Sequence, residues 1–150
     1  MRVHVAFTPI EEVYAPVGIV VDVLRATSTI AQALAAGYRR VLCCAEVEGA
    51  RAVAAQEGDA VLAGERGTVR IPGFRFGNSP QEFVRPAADT LVLTTTNGTR
   101  LLVAAAERCQ LVLVGSLLNL GAVVDAARTQ GVDDVAILCA GVRGELALDD

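Results

Sequence analysis

Short apolar runs alternate with helical segments along the whole chain, and this alternation limits the possible folds more than any other feature. Seven apolar runs have the length of buried strands, at residues 2–7, 17–22, 41–44, 60–63, 90–94, 111–114 and 135–139. Four segments between them favour helix, at residues 26–36, 47–56, 98–107 and 118–129. Strands that alternate with helices indicate βαβ units. We therefore predict an α/β fold with three α/β/α layers and a mostly parallel sheet.

The chain is expected to form one α/β domain over residues 1–150. Hydrophobic residues make up 53% of the sequence and charged residues only 20%, so enough apolar surface is available for a sizeable core. Between Gly64 and Pro80 the periodicity disappears, which predicts a long irregular loop. Ser79-Pro80-Gln81-Glu82 then has the pattern of a capped helix start.

Charge and hydropathy exclude several classes of partner. A net charge of −4 argues against nucleic-acid binding, which needs a basic surface. No apolar run approaches the roughly 20 residues of a membrane span, and no signal peptide is recognisable, so we expect a cytoplasmic protein without membrane contact. All 13 basic residues are Arg, which excludes a Walker-type phosphate loop and lysine Schiff-base chemistry. An anionic ligand must then be held by Arg, backbone amides or a metal ion.

The cysteines provide no metal or nucleophile motif. Cys43, Cys44, Cys109 and Cys139 lack the spacing of zinc ligands, so free thiols are expected. The segment that begins at Cys139 resembles a cysteine-phosphatase loop, but the position six residues later is Glu145 instead of the required Arg. Cys139 is therefore interpreted as a small residue at a strand end.

Polar residues cluster where the predicted strands end. Six clusters follow apolar runs, at residues 22–29, 64–67, 94–99, 115–119, 139–145 and 149–150. Open parallel α/β sheets bind ligands in the crevice outside the carboxyl ends of their strands. We therefore expect a functional site at this edge of the sheet.

The cluster at residues 22–29 is the most specific because it combines an acid, a guanidinium and three hydroxyls. Asp22 has the chemistry of a Mg²⁺ ligand or of a nucleophile that attacks phosphorus. Arg25 has that of a bidentate clamp for phosphate or sulfonate, and amides at the start of the next helix would add anion affinity. The alternative is a turn at Asp22, a surface Arg25 and hydroxyls that cap the helix.

The other clusters also have two interpretations each. The Asn97-Gly98 pair permits positive φ, so the amides of residues 94–99 are expected to form an anion-binding nest, or else a polar cap. Glu65 is a candidate metal ligand, or else part of an exposed loop. The same choice between a ligand contact and a local cap or acidic tail applies to the remaining candidates, which are Asn78, Ser79, Ser116, Asn119, Glu145, Asp149 and Asp150.

Together these segments resemble the 2-phosphosulfolactate phosphatase (ComB) family. The resemblance rests on six strings that occur in order along nearly the whole chain: Val21–Thr29, Gly64-Glu65-Arg66, Phe76–Pro80, Thr95–Thr99, Ser116 with Asn119, and Cys139-Ala140-Gly141. Family chains continue well beyond the acidic segment at residues 149–150. The resemblance therefore implies that a C-terminal portion found in the family is absent here.

The resemblance implies a ComB-like α/β fold and a Mg²⁺-dependent phosphatase. The implied reaction converts 2-phospho-3-sulfolactate to 3-sulfolactate and phosphate, a step of coenzyme M biosynthesis. Asp22 and Arg25 are the predicted catalytic residues, and Asp22, Glu65 and Glu145 the predicted metal ligands. The predicted substrate-binding residues are Thr27, Ser28, Arg66, Asn78, Ser79, Thr96, Asn97, Gly98, Thr99, Ser116 and Asn119.

Two alternatives to an active enzyme stay open at this point. The first is a non-catalytic module that binds a small anionic metabolite through the same amides and Arg25. The second is an inactive truncated relative, which would expose an apolar sheet edge near residues 135–148 and form homo-oligomers to cover it.

Overall fold

Eight strands and four helices alternate along the chain in a computed structural model that describes residues 1–150. The strands are β1 Arg2–Ala6, β2 Val17–Val21, β3 Arg40–Cys43, β4 Ala60–Arg66, β5 Val69–Arg70, β6 Thr90–Thr94, β7 Leu111–Gly115 and β8 Asp134–Cys139. The helices are α1 Ala26–Ala35, α2 Val47–Gln56, α3 Gly98–Ala106 and α4 Leu120–Thr129. The predicted α/β class is confirmed. Most element boundaries lie within one or two residues of the expected ones, and several coincide with them.

The strands form two four-stranded sheets. One sheet has the order β1-β8-β2-β7 and the other β3-β6-β4-β5. All strand pairs are parallel except the β4–β5 hairpin, so the predicted mostly parallel pairing is confirmed. Because their strands are parallel, each sheet gathers its carboxyl ends at one edge.

Side-chain alternation in the second sheet produces the three layers. Leu91 and Leu93 of β6 face a core that includes Ile30 of α1 and Leu102 of α3. Val92, between them, faces a smaller cluster with α2 on the opposite side. Helices α1 and α3 also contact β7 of the first sheet, so one continuous core joins the two sheets. The predicted layers of helix, sheet and helix are present.

The segment expected to be an irregular loop contains a hairpin instead. Strand β4 continues to Arg66 and pairs with β5, and the two turn residues, Gly67 and Thr68, have φ of 56° and 71°. Two consecutive residues with positive φ are typical of the tight turn that twisted hairpin strands require. The predicted helix after Ser79 was wrong as well. The segment forms a single 3₁₀ turn, Pro80–Glu82, and the Ser79 side chain does not cap it. The Glu82 carboxylate accepts the Gly77 N–H at 3.0 Å.

The apolar surface of the first sheet lies at its β1 edge. Val3 and Val5 on β1 are exposed, whereas β8 is covered on both sides by β1 and β2. The expected apolar edge near residues 135–148 is therefore not β8 itself, although Leu146 and Leu148 beyond it are exposed. All four cysteines are free, as predicted. None of the helices has the length and apolar character needed to cross a membrane.

Gly64 provides a test of the β4–β6 pairing. It has φ of +153°, and a Cβ added there would overlap the carbonyl oxygen of Thr94 on β6. We expect Gly64→Ala to lower the free energy of unfolding by about 1–3 kcal/mol, because the two backbones must separate. Gly49 in α2 has open space around it, so Gly49→Ala should raise the stability by about 0.5–1 kcal/mol. Urea denaturation of both variants checks this, and equal stability of the two would contradict the assigned pairing.

Candidate active site

A polar cavity of about 600 Å³ opens at the carboxyl ends of strands from both sheets. The first sheet contributes residues that follow β2 and β8, and the second contributes residues at the ends of β4 and β6. The lining residues are Asp22, Leu24, Arg25, Glu65, Gly67, Thr68, Asn78, Thr96, Asn97, Val142, Arg143, Glu145 and Leu146. The expected position at the carboxyl ends is therefore where the cavity lies.

Asp22 is the residue on which two helices converge. Its carboxylate is buried and faces the backbone N–H groups of Arg25 and Ala26 at the start of α1 and of Gly98 at the start of α3, which lower its pKa. A Cβ at residue 98 would overlap Asp22 Oδ2, so only glycine allows the helix to approach this closely. The partial positive charge of both helix N-termini is thus directed at one acid.

Burial nevertheless raises the pKa of Asp22 to about 6. The nearby charge of Asp150 raises it further, whereas the three backbone N–H groups lower it. Desolvation therefore has a larger effect than the amides. The result is a carboxylate without a cationic side chain to compensate it, which favours the approach of a positive ion or a proton.

The acidic pair at residues 149–150 binds backbone amides around the site. Asp150 accepts the Val23 N–H and the Gly141 N–H, each at 2.9 Å, and Asp149 accepts the Leu24 N–H at 3.1 Å. These bonds connect the segment that follows β8 to the loop that carries Asp22. Both acids therefore hold backbone of the loop in place, although Asp149 is itself exposed.

Glu65 fastens the β4–β5 hairpin to the loop after β6. Its buried carboxylate accepts the Thr96 N–H at 2.7 Å, the Thr96 hydroxyl at 2.9 Å and the Thr68 N–H at 2.8 Å. No Arg or His side chain pairs with it. Charge-assisted bonds of this kind hold two loops in place at the rim of the cavity.

The predicted anion-binding nest is filled by the protein's own acceptors. The Thr96 N–H donates to Glu65 and the Thr99 N–H donates to the Thr95 hydroxyl at 3.1 Å, while the Gly98 N–H faces the Asp22 carboxylate. The amides after β6 therefore face acceptors of the protein itself, and their direct binding of substrate stays a prediction.

Four lining side chains have hydrogen-bonding capacity that the protein does not use, those of Arg25, Arg143, Asn78 and Glu145. The guanidinium groups of Arg25 and Arg143 form no hydrogen bond or ion pair within the chain. Asn78 is only 5% exposed, and its Oδ1 is enclosed without a donor. Buried polar atoms are almost always paired, so an orphaned one in a cavity points to a ligand. The cavity thus contains two unpaired cationic groups and two acceptors without a donor, Asn78 Oδ1 and the Glu145 carboxylate.

Seven of the predicted site residues line the cavity and eight do not. Those that line it are Asp22, Arg25, Glu65, Asn78, Thr96, Asn97 and Glu145. Those that do not are Thr27, Ser28, Arg66, Ser79, Gly98, Thr99, Ser116 and Asn119.

The hydroxyl and amide groups outside the cavity stabilise the loops instead. Thr27 and Ser28 donate to the Asp22 and Val23 carbonyls at 2.8 and 2.7 Å. Asn119 accepts both the Ser116 N–H and the Ser116 hydroxyl. Residues of these types satisfy backbone groups at helix starts, which their sequence pattern could not separate from substrate binding.

Arg66 is used structurally in the same way. Its guanidinium donates to the Ala45 carbonyl and to the Thr94 hydroxyl, both at 2.9 Å, and to the Glu65 carbonyl.

The predicted metal trio is not gathered around one point. No group of three His, Cys, Asp or Glu side chains is arranged to hold a metal ion. Cys139 is buried, and burial together with the charges of Asp150 and Glu11 raises its pKa, which disfavours the reactive thiolate. Asp22 is thus the acid with the strongest uncompensated charge in the cavity.

Six lining residues were missed from the sequence, namely Leu24, Gly67, Thr68, Val142, Arg143 and Leu146. Arg143 lies in one of the recognised polar clusters, but only its spacing from Cys139 was considered. For Thr68, the signal was a Gly-Thr pair between short β-favouring stretches, which is weaker than the Asn-Gly signature of a hairpin.

Comparisons with known proteins agree with the family resemblance read from the motifs. A family model described as 2-phosphosulpholactate phosphatase matches residues 5–150. A probable 2-phosphosulfolactate phosphatase of Thermus thermophilus is 42% identical over the whole chain, and one of Deinococcus radiodurans is 41% identical over the whole chain. One of Clostridium acetobutylicum is 41% identical over 93% of the chain. The chain spans 64%, 63% and 60% of the lengths of these three relatives.

The buried Asp22 predicts a pH-dependent stability. Its pKa rises from the ordinary 3.8 to about 6 on folding, so the folded state binds this proton more tightly than the unfolded state. Stability should therefore fall as the pH rises from about 4 to about 6, by about 3 kcal/mol in total. We expect Asp22→Asn to be more stable than the parent protein above pH 7 and equally stable near pH 4, in the presence of a chelator.

Urea unfolding between pH 4 and pH 8 measures this difference. Asp125→Asn is the matched control, because Asp125 is exposed on α4 and lies outside the cavity. Parallel stability profiles for Asp22→Asn and the parent protein would contradict the assigned burial of the acid.

Proposed function

The chain belongs to the 2-phosphosulfolactate phosphatase family, and we propose that the protein hydrolyses a small phosphate monoester that carries further anionic groups. The substrate that the names of its relatives support is 2-phospho-3-sulfolactate, with 3-sulfolactate and phosphate as products. The observation that carries the proposal is the placement of the buried Asp22 carboxylate and the unpaired Arg25 in one polar cavity.

Arg25 is proposed to bind the phosphoryl group. Its guanidinium is half-buried, lines the cavity and has no acidic partner in the protein. A guanidinium matches two phosphate oxygens at once and neutralises the charge that develops on them during transfer. Because the group is not committed elsewhere, it needs no rearrangement before the substrate enters.

Mg²⁺ is the proposed cofactor, and the oxygen donors of the cavity fit it. Asp22 would hold the ion, and the orphaned Asn78 Oδ1 is a second oxygen of suitable type. Mg²⁺ commonly takes only one or two carboxylates and completes its shell with water and substrate phosphate, so a trio of acids is not required. When bound, the ion polarises the phosphoryl group and offsets its charge.

The surrounding hydrogen bonds keep the acid in place for this role. The Asp22 carboxylate faces amides at the starts of α1 and α3, Thr27 binds the Asp22 carbonyl, and Asp150 binds the adjacent Val23 amide. Catalytic groups need positions defined within a fraction of an ångström, which rigid elements supply better than free loops. The site's acid is therefore oriented before any ligand binds.

Replacement of Asp22 tests the proposal. We expect Asp22→Asn to lower kcat/KM for a phosphate monoester in Mg²⁺ by about 100-fold or more, because the charge facing the transferring group is lost. The variant should remain folded, since the substitution removes a buried charge. Asp125→Asn, which removes an exposed acid of the same type, should retain the parent activity. Unchanged turnover in Asp22→Asn would contradict the central role of this residue.

A binding module without catalysis is distinguished by calorimetry. The enzyme proposal expects 3-sulfolactate to bind more weakly after removal of Mg²⁺, together with turnover of the phosphorylated compound. Binding that is independent of the metal, with no release of phosphate, would replace the enzyme proposal with the module.

A further inference from the structure

Two residues in the chain share an unusual backbone conformation, and both line the same cavity. Thr68 has φ of 71° and Arg143 has φ of 55°, and they are the only residues other than glycine with positive φ. Thr68 is at the tip of the β4–β5 hairpin in one sheet, whereas Arg143 follows β8 in the other. Side chains with a Cβ rarely adopt this region, and residues that do so cluster at functional sites.

The turn that carries Arg143 does not require an arginine. Val142 and Glu145 exchange backbone hydrogen bonds of 2.9 and 3.1 Å, so Arg143 and Gly144 form a two-residue turn in which both have positive φ. Asn, Asp and Gly are the residues favoured at the first of these positions. A long side chain such as that of arginine is unfavourable in this backbone conformation. A reason for it must come from the guanidinium rather than from the turn.

The turn is held over the cavity by contacts from two directions. The Arg143 N–H donates to Asn97 Oδ1 at 3.4 Å, at the start of α3. Just before the turn, the Gly141 N–H donates to the Asp150 carboxylate. Gly141 has φ of 58°, and a Cβ there would overlap the Glu145 carbonyl oxygen. The backbone of the turn is therefore placed independently of the Arg143 side chain.

The guanidinium itself has no partner in the protein. The acids of the cavity nearest to the helix starts, Asp22 and Glu65, already accept backbone donors, and Glu145 lines the same cavity without pairing to Arg143. Arg143 is exposed, whereas Arg25 is half-buried in the same cavity as Asp22. Two unpaired cations at different depths suit a ligand with two separate anionic groups.

We propose that Arg143 is a specificity-determining residue that binds the substrate's non-transferred anionic group, a carboxylate or sulfonate, while Arg25 binds the phosphoryl group. This inference rests on the proposed phosphatase function. It assigns the half-buried guanidinium of Arg25 to the reacting end, in the cavity that Asp22 also lines, and the exposed guanidinium of Arg143 to recognition. A planar guanidinium forms paired hydrogen bonds with carboxylate and sulfonate oxygens alike.

Arg143→Asn tests the inference without damage to the turn, because Asn tolerates positive φ better than Arg. We expect its melting temperature to equal or exceed that of the parent protein. The ratio of kcat/KM for 2-phospho-3-sulfolactate to that for phenyl phosphate should fall at least tenfold, mainly through a higher KM for the first substrate. Arg143→Lys should give an intermediate ratio, since it keeps the charge but not the paired geometry.

The matched control is Arg85→Asn, which removes an exposed arginine outside the cavity and should leave the ratio unchanged. An unchanged ratio in Arg143→Asn would overturn the inference. So would an equal loss of kcat/KM for both substrates, because that result places Arg143 at the phosphoryl group. Replacement of 2-phospho-3-sulfolactate by phospholactate, which lacks the sulfonate, then shows which of the two anionic groups Arg143 contacts.

Binding measurements keep this test separate from the test of the phosphatase itself. If the parent protein releases no phosphate, the proposed function fails, but calorimetry with 3-sulfolactate still examines Arg143. A dissociation constant at least tenfold weaker in Arg143→Asn, with no change in Arg85→Asn, supports the inference. Equal affinity of the variant and the parent, or no binding by the parent, overturns it.

Discussion

The site depends on one arrangement, in which the buried carboxylate of Asp22 faces backbone amides at the starts of two helices. Helix α1 follows a strand of the first sheet and α3 follows a strand of the second, so this carboxylate connects the two halves of the fold. The absence of a side chain at Gly98 allows the close approach. Burial at this junction raises the pKa of Asp22 more than the helix amides lower it, and the buried charge favours a cation.

The cavity combines several features that work against stability. Asp22 and Glu65 are buried carboxylates without cationic partners, Asn78 retains an orphaned oxygen, and Arg143 adopts positive φ. Each of these features lowers the stability of the folded protein relative to a neutral or smaller residue at the same position. Their coincidence around one cavity is what a binding site requires, since groups satisfied by the protein itself are not available to a ligand.

Much of the fold, but only part of the site, was predictable from local patterns. Apolar strand-like runs and Ala-rich helices identified all four helices and seven of the eight strands, because those patterns reflect burial on regular periods. The β4–β5 hairpin was missed because its turn depends on the backbone of Gly67 and Thr68, which composition signals weakly. The role of the predicted anion nest is open for a different reason. Amides at a helix start attract any nearby acceptor, and sequence does not say whether that acceptor is Asp22 or a ligand.

The sequence by itself determined the α/β class, the position of polar clusters at strand ends and the family, because these depend on the order and spacing of residues along the chain. Only the tertiary structure decided which clusters meet. Asp22, Arg25, Glu65 and Asn97 come together, whereas Ser116 and Asn119 bond to each other outside the cavity. The physical reason is that hydrogen-bond partners are chosen by distance in space, so a hydroxyl or guanidinium is free for a ligand only where folding has left it without a partner.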